Sequence, residues 1–215
     1  MKSLLIRFYE ELNDFLPQEK RKIRFQHQFF DNPSIKDLIE SLGVPHTEID
    51  LILVNGNSVN FSYIVQDKDD ISVYPIFESF DISNIQQLRE ITLYQQLKTI
   101  YQIKIIVYSH LGKLAKYMRL LGIDTFYKND IQEIEIINIS INEKRTILTK
   151  NKNLLKRNEV INGYWIRNEN VESQINEVIQ RFKLQKEIKY FSRCLICNSQ
   201  LKFIEKEKII NRIPL

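Results

Sequence analysis

Three carboxylates, those of Asp130, Glu133 and Glu135, fall together at the start of an apolar run that reads as a helix. Clustered carboxylates hold hard divalent ions, which take oxygen ligands. The plainer reading is that acids in a first helical turn favour the positive end of the helix dipole. His110 stands directly after the β-branched run Lys104-Ile105-Ile106-Val107-Tyr108, where an imidazole can act as a general acid or touch a substrate. Lys113, Lys116 and Arg119 share one side of the next segment, and Lys150, Lys152, Lys156 and Arg157 follow a later strand-like run. Together they would attract phosphates, with the strong salt dependence that counterion release imposes; individually they read as a solvated face. Cys194-Leu195-Ile196-Cys197 is half of a four-ligand zinc site, and no Cys or His follows between Ser199 and Leu215. Zinc shared between chains or completed by a partner, a vestigial half-site, and a redox dithiol are the readings it allows.

These residues hang on a regular alternation. Leu111, Leu114, Ala115, Met118 and Leu121 recur at helical spacing, and Gly122 supplies the stop. From residue 104 the apolar runs predict strand 104–108, helix 111–121, strand 124–127, helix 131–142, strand 145–149, helix 152–157, strand 163–166 and helix 171–181. That is a parallel α/β sheet. Ligands in such sheets bind beyond the carboxyl ends of the strands, which singles out residues 108–110 and 149–152. Tyr117, Tyr164 and Trp165 could stack on bases or belong to the core.

The first eighty residues read differently. Strands at 4–9 and 23–29 precede a helix over 35–42, with Ser34 as its cap and Gly43 as its end. Asp50–Val54 follows as a strand, Asn55-Gly56 is a strong hairpin signal, and Ile71–Pro75 makes the last strand. The order β-β-α-β-β is that of a β-grasp, ubiquitin-like domain. His27 and His46 receive no role. Residues 81–103 are polar and Gln-rich, with apolar positions at three- and four-residue steps that suit a connecting helix or a solvated spacer.

Charge divides along the same line. Residues 1–80 hold 8 Lys+Arg against 13 Asp+Glu, net −5, and residues 81–215 hold 23 against 14, net +9. An acidic domain joined to a basic one makes the basic one the candidate to meet a polyanion such as RNA. At 215 residues and 43% hydrophobic the chain can bury a core. No apolar run approaches the roughly 18 residues a membrane helix needs, no signal-peptide core follows Met1, and the cysteines do not form an oxidised scaffold. A cytoplasmic protein without membrane contact is expected.

Several separated motifs carry a family resemblance. Phe8–Pro17, Leu42–Glu48, Leu51–Gly56 and Val73–Ser79 resemble the ubiquitin-like domain that precedes the Mut-seven C-terminal RNase domain. Sulfur carriers of that fold use a Gly-Gly tail, which is missing where this chain runs through Phe80-Asp81-Ile82, so carrier chemistry is not expected. His110–Tyr117, Leu120–Thr125, Arg145–Thr149, Leu154–Arg157 and Arg193–Asn198 resemble the RNase domain itself. The resemblance implies a PIN-like fold in which carboxylates hold Mg²⁺ or Mn²⁺ for RNA hydrolysis, with a zinc ribbon completed by a second cysteine pair. It also implies an aspartate where Tyr108 stands and another where Asn151 stands, while Glu133 matches an acidic position. A phenol stays protonated near neutral pH, and an asparagine brings no charge.

The expected organisation is therefore a β-grasp domain at 1–80, a linker at 81–103, a PIN-like α/β domain at 104–190 and a half zinc knuckle at 191–215. The expected function is that of an RNase-domain protein whose metal-dependent hydrolysis is weakened or lost. Glu133, Asp130 and His110 are its candidate catalytic residues. A non-catalytic RNA-binding protein, or a scaffold that recruits a protein partner through the β-grasp domain, are the alternatives.

Overall fold

The computed structural model describes residues 1–76, 85, 87, 88 and 103–205. In the first domain, β1 (Lys2–Phe8) alternates so that Leu4, Ile6 and Phe8 are buried. It pairs antiparallel with β2 (Phe25–Phe29) and parallel with β5 (Asp70–Pro75). Between β2 and β5 come α1 (Ile35–Ser41), β3 (Ile49–Val54) and the short β4 (Asn57–Ser58), giving a mixed sheet in the order β2-β1-β5-β3-β4. Ser34 caps α1 as expected, its hydroxyl accepting the Asp37 N–H at 3.1 Å. Asn55 and Gly56, at φ 50° and 81°, make the tight turn between β3 and β4, because both tolerate the left-handed conformation. Ile35, Leu38 and Ile39 of α1 close the core over the sheet.

The second domain is the expected parallel sheet. Its strands are β6 (Lys104–Val107), β7 (Asp124–Phe126), β8 (Thr146–Thr149) and β9 (Gly163–Trp165), in the order β7-β6-β8-β9. The helices are α2 (Gly112–Leu120), α3 (Glu133–Glu143), the single turn α4 (Lys152–Leu155) and α5 (Val171–Arg181). Apolar side chains cover both faces, as a sheet sandwiched between helices requires. Leu114, Ala115 and Met118 of α2 and Val178 of α5 pack on one, and Ile136 and Ile137 of α3 with Leu154 and Leu155 on the other. The connecting helix expected over 81–103 lies outside the described residues except at Ile85, Gln87, Leu88 and Ile103.

The domains meet along β9, an edge strand whose outward N–H groups need acceptors. Glu48, fully buried, accepts the Trp165 N–H at 2.7 Å and pairs with Arg167 at 3.3 Å. Arg167 also reaches Asp14 at 3.1 Å, and Arg181 reaches Glu11 at 3.1 Å. The His46 ring bridges the Glu40 carboxylate (Nδ1, 2.6 Å) and the Val160 carbonyl (Nε2, 2.9 Å). Phe15 packs against Trp165 at 4.9 Å between ring centroids. The acids belong to the first domain and the arginines to the second, so part of the charge asymmetry holds the two together. Burial pushes the Glu48 carboxyl up, against the pull of Arg167 and the Trp165 N–H.

Candidate functional site

Chain order reverses between β6 and β8, the topological switch point of the parallel sheet. In parallel sheets ligands bind in the crevice outside the carboxyl ends of the strands at such a point, where the loops after these two strands lie. Tyr108 and His110 come from the first loop, Lys150 and Asn151 from the second, and Glu133 from the first turn of α3. The strand-end reading names the two loops, which the His110–Lys150 contact joins, and Glu133 reaches them through Asn151. The His110 Nε2 accepts the Lys150 N–H at 3.0 Å, which fixes the neutral ring with its proton on Nδ1. Partial burial and the Lys150 charge both hold His110 below the usual imidazole value, so the ring is neutral at pH 7. The Tyr108 ring stands edge-on to it, 5.1 Å between centroids.

Asn151 is held at both ends of its amide. Its Oδ1 accepts the N–H groups of Asn153 (3.0 Å) and Leu154 (3.4 Å), capping α4. Its Nδ2 donates to Glu133 Oε1 at 2.8 Å. The two N–H groups can only meet an oxygen, so the nitrogen must face Glu133. Where a second carboxylate would share a cation with Glu133, an uncharged donor already satisfies it. Asp130 stands apart, exposed at φ 57° and hydrogen-bonded by Asn129, and Glu135 pairs with Lys128 at 2.8 Å. Among the described residues no three His, Cys, Asp or Glu side chains gather in a metal-holding group. Glu133, a capped asparagine and a phenol do not fit the oxygen-rich shell that Mg²⁺ or Mn²⁺ takes.

The basic residues separate into two kinds. Lys113 and Lys116 are exposed on α2. Arg119 does not join them: it is buried and donates to the carbonyls of Thr125 (2.8 Å), Leu195 (3.0 Å) and Ile196 (2.7 Å). It lies where the apolar and polar faces of α2 meet, and the carbonyls of the cysteine turn draw its long side chain inward. Lys156 donates to the Glu40 carbonyl at 2.7 Å, and the Lys152 ammonium lies over the rings of Trp165 (4.0 Å) and Phe15 (4.8 Å). Burial and Arg167 lower the Lys152 ammonium below its usual value. Lys150 pairs with Glu169, and Arg157 with Glu159. Of the seven cations read from the sequence, two therefore belong to the domain interface and one to the fold beneath the cysteines.

Cys194 and Cys197 sit on a tight turn closed by the bonds Cys194 N–H to Ser199 O (2.9 Å) and Asn198 N–H to Cys194 O (3.0 Å). Two sulfurs fill half of a structural zinc shell, and among the described residues no further ligand joins them. Hydrogen bonds from Ser199, with a lesser one from Cys194, bring the Cys197 thiol down to about 7. Sequence reasoning gives His46 no role and does not single out Glu48, though both bond across to the second domain. A lone histidine and a lone glutamate in a β-grasp domain carry no signal until the domain that meets them is in place. A cleft of ≈450 Å³ opens at the domain seam, lined in part by Glu11, Tyr164, Arg167, Glu177 and Arg181. Arg167 and Glu177 there are already held by protein partners.

The fold and the crevice define a two-domain protein, a β-grasp module docked on a parallel α/β domain whose loops converge at a switch point. Residues 103–215 match the family model of the Mut7-C RNAse domain, and residues 1–81 match that of the Mut7-C ubiquitin domain. The chain belongs to the Mut7-C RNAse domain family, and it carries the ubiquitin-like domain in front. Comparison with curated proteins and with solved structures finds no match. No helix among the described residues is long and apolar enough to cross a membrane.

Proposed function

We propose that this RNase-domain protein binds RNA and no longer hydrolyses it through a divalent metal at the strand-end crevice. The observation that carries the reading is the Asn151 amide, which holds Glu133 by its nitrogen and caps a helix by its oxygen. A site built that way has its one well-placed carboxylate satisfied without a cation. Family membership and the net +9 of residues 81–215 favour RNA as the ligand. His110, neutral and anchored to Lys150, remains able to offer its Nδ1–H to a phosphate oxygen, a contact that needs no metal.

The test is incubation of the purified chain with labelled single-stranded and structured RNA in Mn²⁺, Mg²⁺ or EDTA, reading cleavage and retention in the same samples. Retained, uncut RNA in all three is the expected result. Metal-dependent cleavage abolished by Glu133→Ala would overturn the loss of catalysis. RNA neither cut nor retained would overturn RNA binding and leave the β-grasp domain, as a recruiter of a protein partner, to explain the molecule.

A further inference from the structure

Away from the crevice, α2 presents Lys113, Lys116 and Tyr117 to solvent, with Tyr117 46% exposed. The segment Lys189–Ser192 crosses the carboxyl end of that helix. The Lys189 N–H donates to Leu121 O at 2.9 Å and the Phe191 N–H to Leu120 O at 3.0 Å. Gly122, at φ 84°, permits the approach, since a Cβ there would meet the Lys189 carbonyl oxygen at 2.3 Å and Ser192 Oγ at 2.5 Å. The segment is therefore seated against the helix end rather than trailing from it.

What it displays is unusual for a seated segment. Tyr190 is 65% and Phe191 73% exposed, and Phe191 takes φ 57°, a left-handed conformation that bulky side chains rarely adopt. An aromatic held strained and uncovered gives nothing to the core. Leu120 is one turn beyond Lys116 and Tyr117, so the bond from the Phe191 N–H to the Leu120 carbonyl sets the segment one turn past the exposed residues of α2. Lys186 and Lys189 add charge on the same stretch, against Glu187 as the acid within it.

We infer that Tyr117, Tyr190 and Phe191, with Lys113, Lys116 and Lys189, form a stacking platform for single-stranded RNA on the α2 side of the domain, outside the strand-end crevice. Exposed rings accept bases of any sequence on their faces, and the interleaved lysines follow the phosphates. The surface is complementary to a polyanion with unstacked bases; a duplex offers no base faces to the rings. This assignment deepens the RNA-binding reading above and rests on it.

The test uses the full chain and a fluorescently labelled oligouridine of about ten nucleotides, read by anisotropy over a salt series. Phe191→Gly is the informative variant, because glycine relieves the left-handed strain while removing the ring. It should keep or raise the melting temperature and weaken binding on the order of tenfold, and Tyr190→Ala should weaken it similarly. The triple variant Lys113→Gln, Lys116→Gln, Lys189→Gln should flatten the slope of log K against log salt by about 2, as for three lost phosphate contacts. Lys68→Gln, on the β-grasp domain, should change neither. Wild-type binding left intact by Phe191→Gly and Tyr190→Ala, or abolished instead by His110→Ala, would overturn the platform while sparing RNA binding. A wild-type chain that binds phosphatidylserine vesicles and no RNA would overturn both.

Discussion

Replacing Asn151 by aspartate restores the acid that the family resemblance implies and reverses the electrostatics of the crevice. The perturbation is local, because aspartate caps a helix as well as asparagine does and the α4 N–H groups keep their acceptor. What changes is the 2.8 Å contact with Glu133. A hydrogen bond to a charged group contributes about 1.5–3 kcal/mol, and this one would be lost. Two carboxylates about 4 Å apart in a half-solvated crevice, at an effective dielectric of roughly 40–80, repel by about 1–2 kcal/mol. Taking the lower end for a site open to water, Asn151→Asp should destabilise the chain by about 2–3 kcal/mol at pH 7. That corresponds to roughly 5–10 °C in melting temperature for a protein of this size. A divalent ion bridging the new pair would offset it, by about 2.7 kcal/mol when the ion is at a hundred times its dissociation constant. The assay is thermal unfolding of wild type and variant in EDTA and in Mn²⁺. The variant should melt lower in EDTA and recover with Mn²⁺, while the wild type is indifferent to the metal. A variant as stable as wild type in EDTA, or a wild type that Mn²⁺ stabilises equally, would refute the account of Asn151 as a substitute for a cation.

Other perturbations report on the remaining contacts. Glu48→Ala strands the Trp165 N–H and takes one of the two carboxylates, Glu48 and Asp14, from Arg167, which should cost about 2–4 kcal/mol and expose the domain seam to limited proteolysis; Glu48→Gln, keeping an acceptor, should cost less. Burial would raise the Asp124 carboxyl, but hydrogen bonds from Arg145 and Asn198, with the charges of Arg145 and Arg193, hold it below its usual 3.8. The stability it contributes is thus present above that value and lost as pH falls through the lower folded one, so Asp124→Asn should flatten the melting profile between about pH 5 and 2. Cys197, at about 7, should be alkylated by iodoacetamide with a rate midpoint near neutrality, and Ser199→Ala should move that midpoint up; a profile like that of a free thiol, near 8.5, would count against the Ser199 bond.

Both domains were legible because their signals are local. Alternation in β1, the Ser34 cap, the Asn55-Gly56 turn and the 3.6-residue period of α2 each depend on a few neighbouring residues. The helix predicted over 171–181 is found at Val171–Arg181. The strand-end rule pointed to residues 108–110 and 149–152, and the sheet order β7-β6-β8-β9 sets those two loops side by side, whereas Glu133 joins them through Asn151 only once the fold is in place. The basic set was less legible. Counting charge on a helix face located Lys113 and Lys116 on the surface but could not show that Arg119 turns inward to the carbonyls of Leu195 and Ile196. Nor could it show that Lys152 and Lys156 lie against the other domain.

The sequence by itself determined the two folds and their order, because those reside in residue type and short-range periodicity, and its separated motifs determined the family. Only the tertiary structure decided which way the Asn151 amide points, that acids of one domain hold arginines of the other, and that Phe191 is strained and uncovered beside α2. Each of these depends on partners distant in sequence, and a hydrogen bond, an ion pair or an exposed ring is defined by what the fold brings to it.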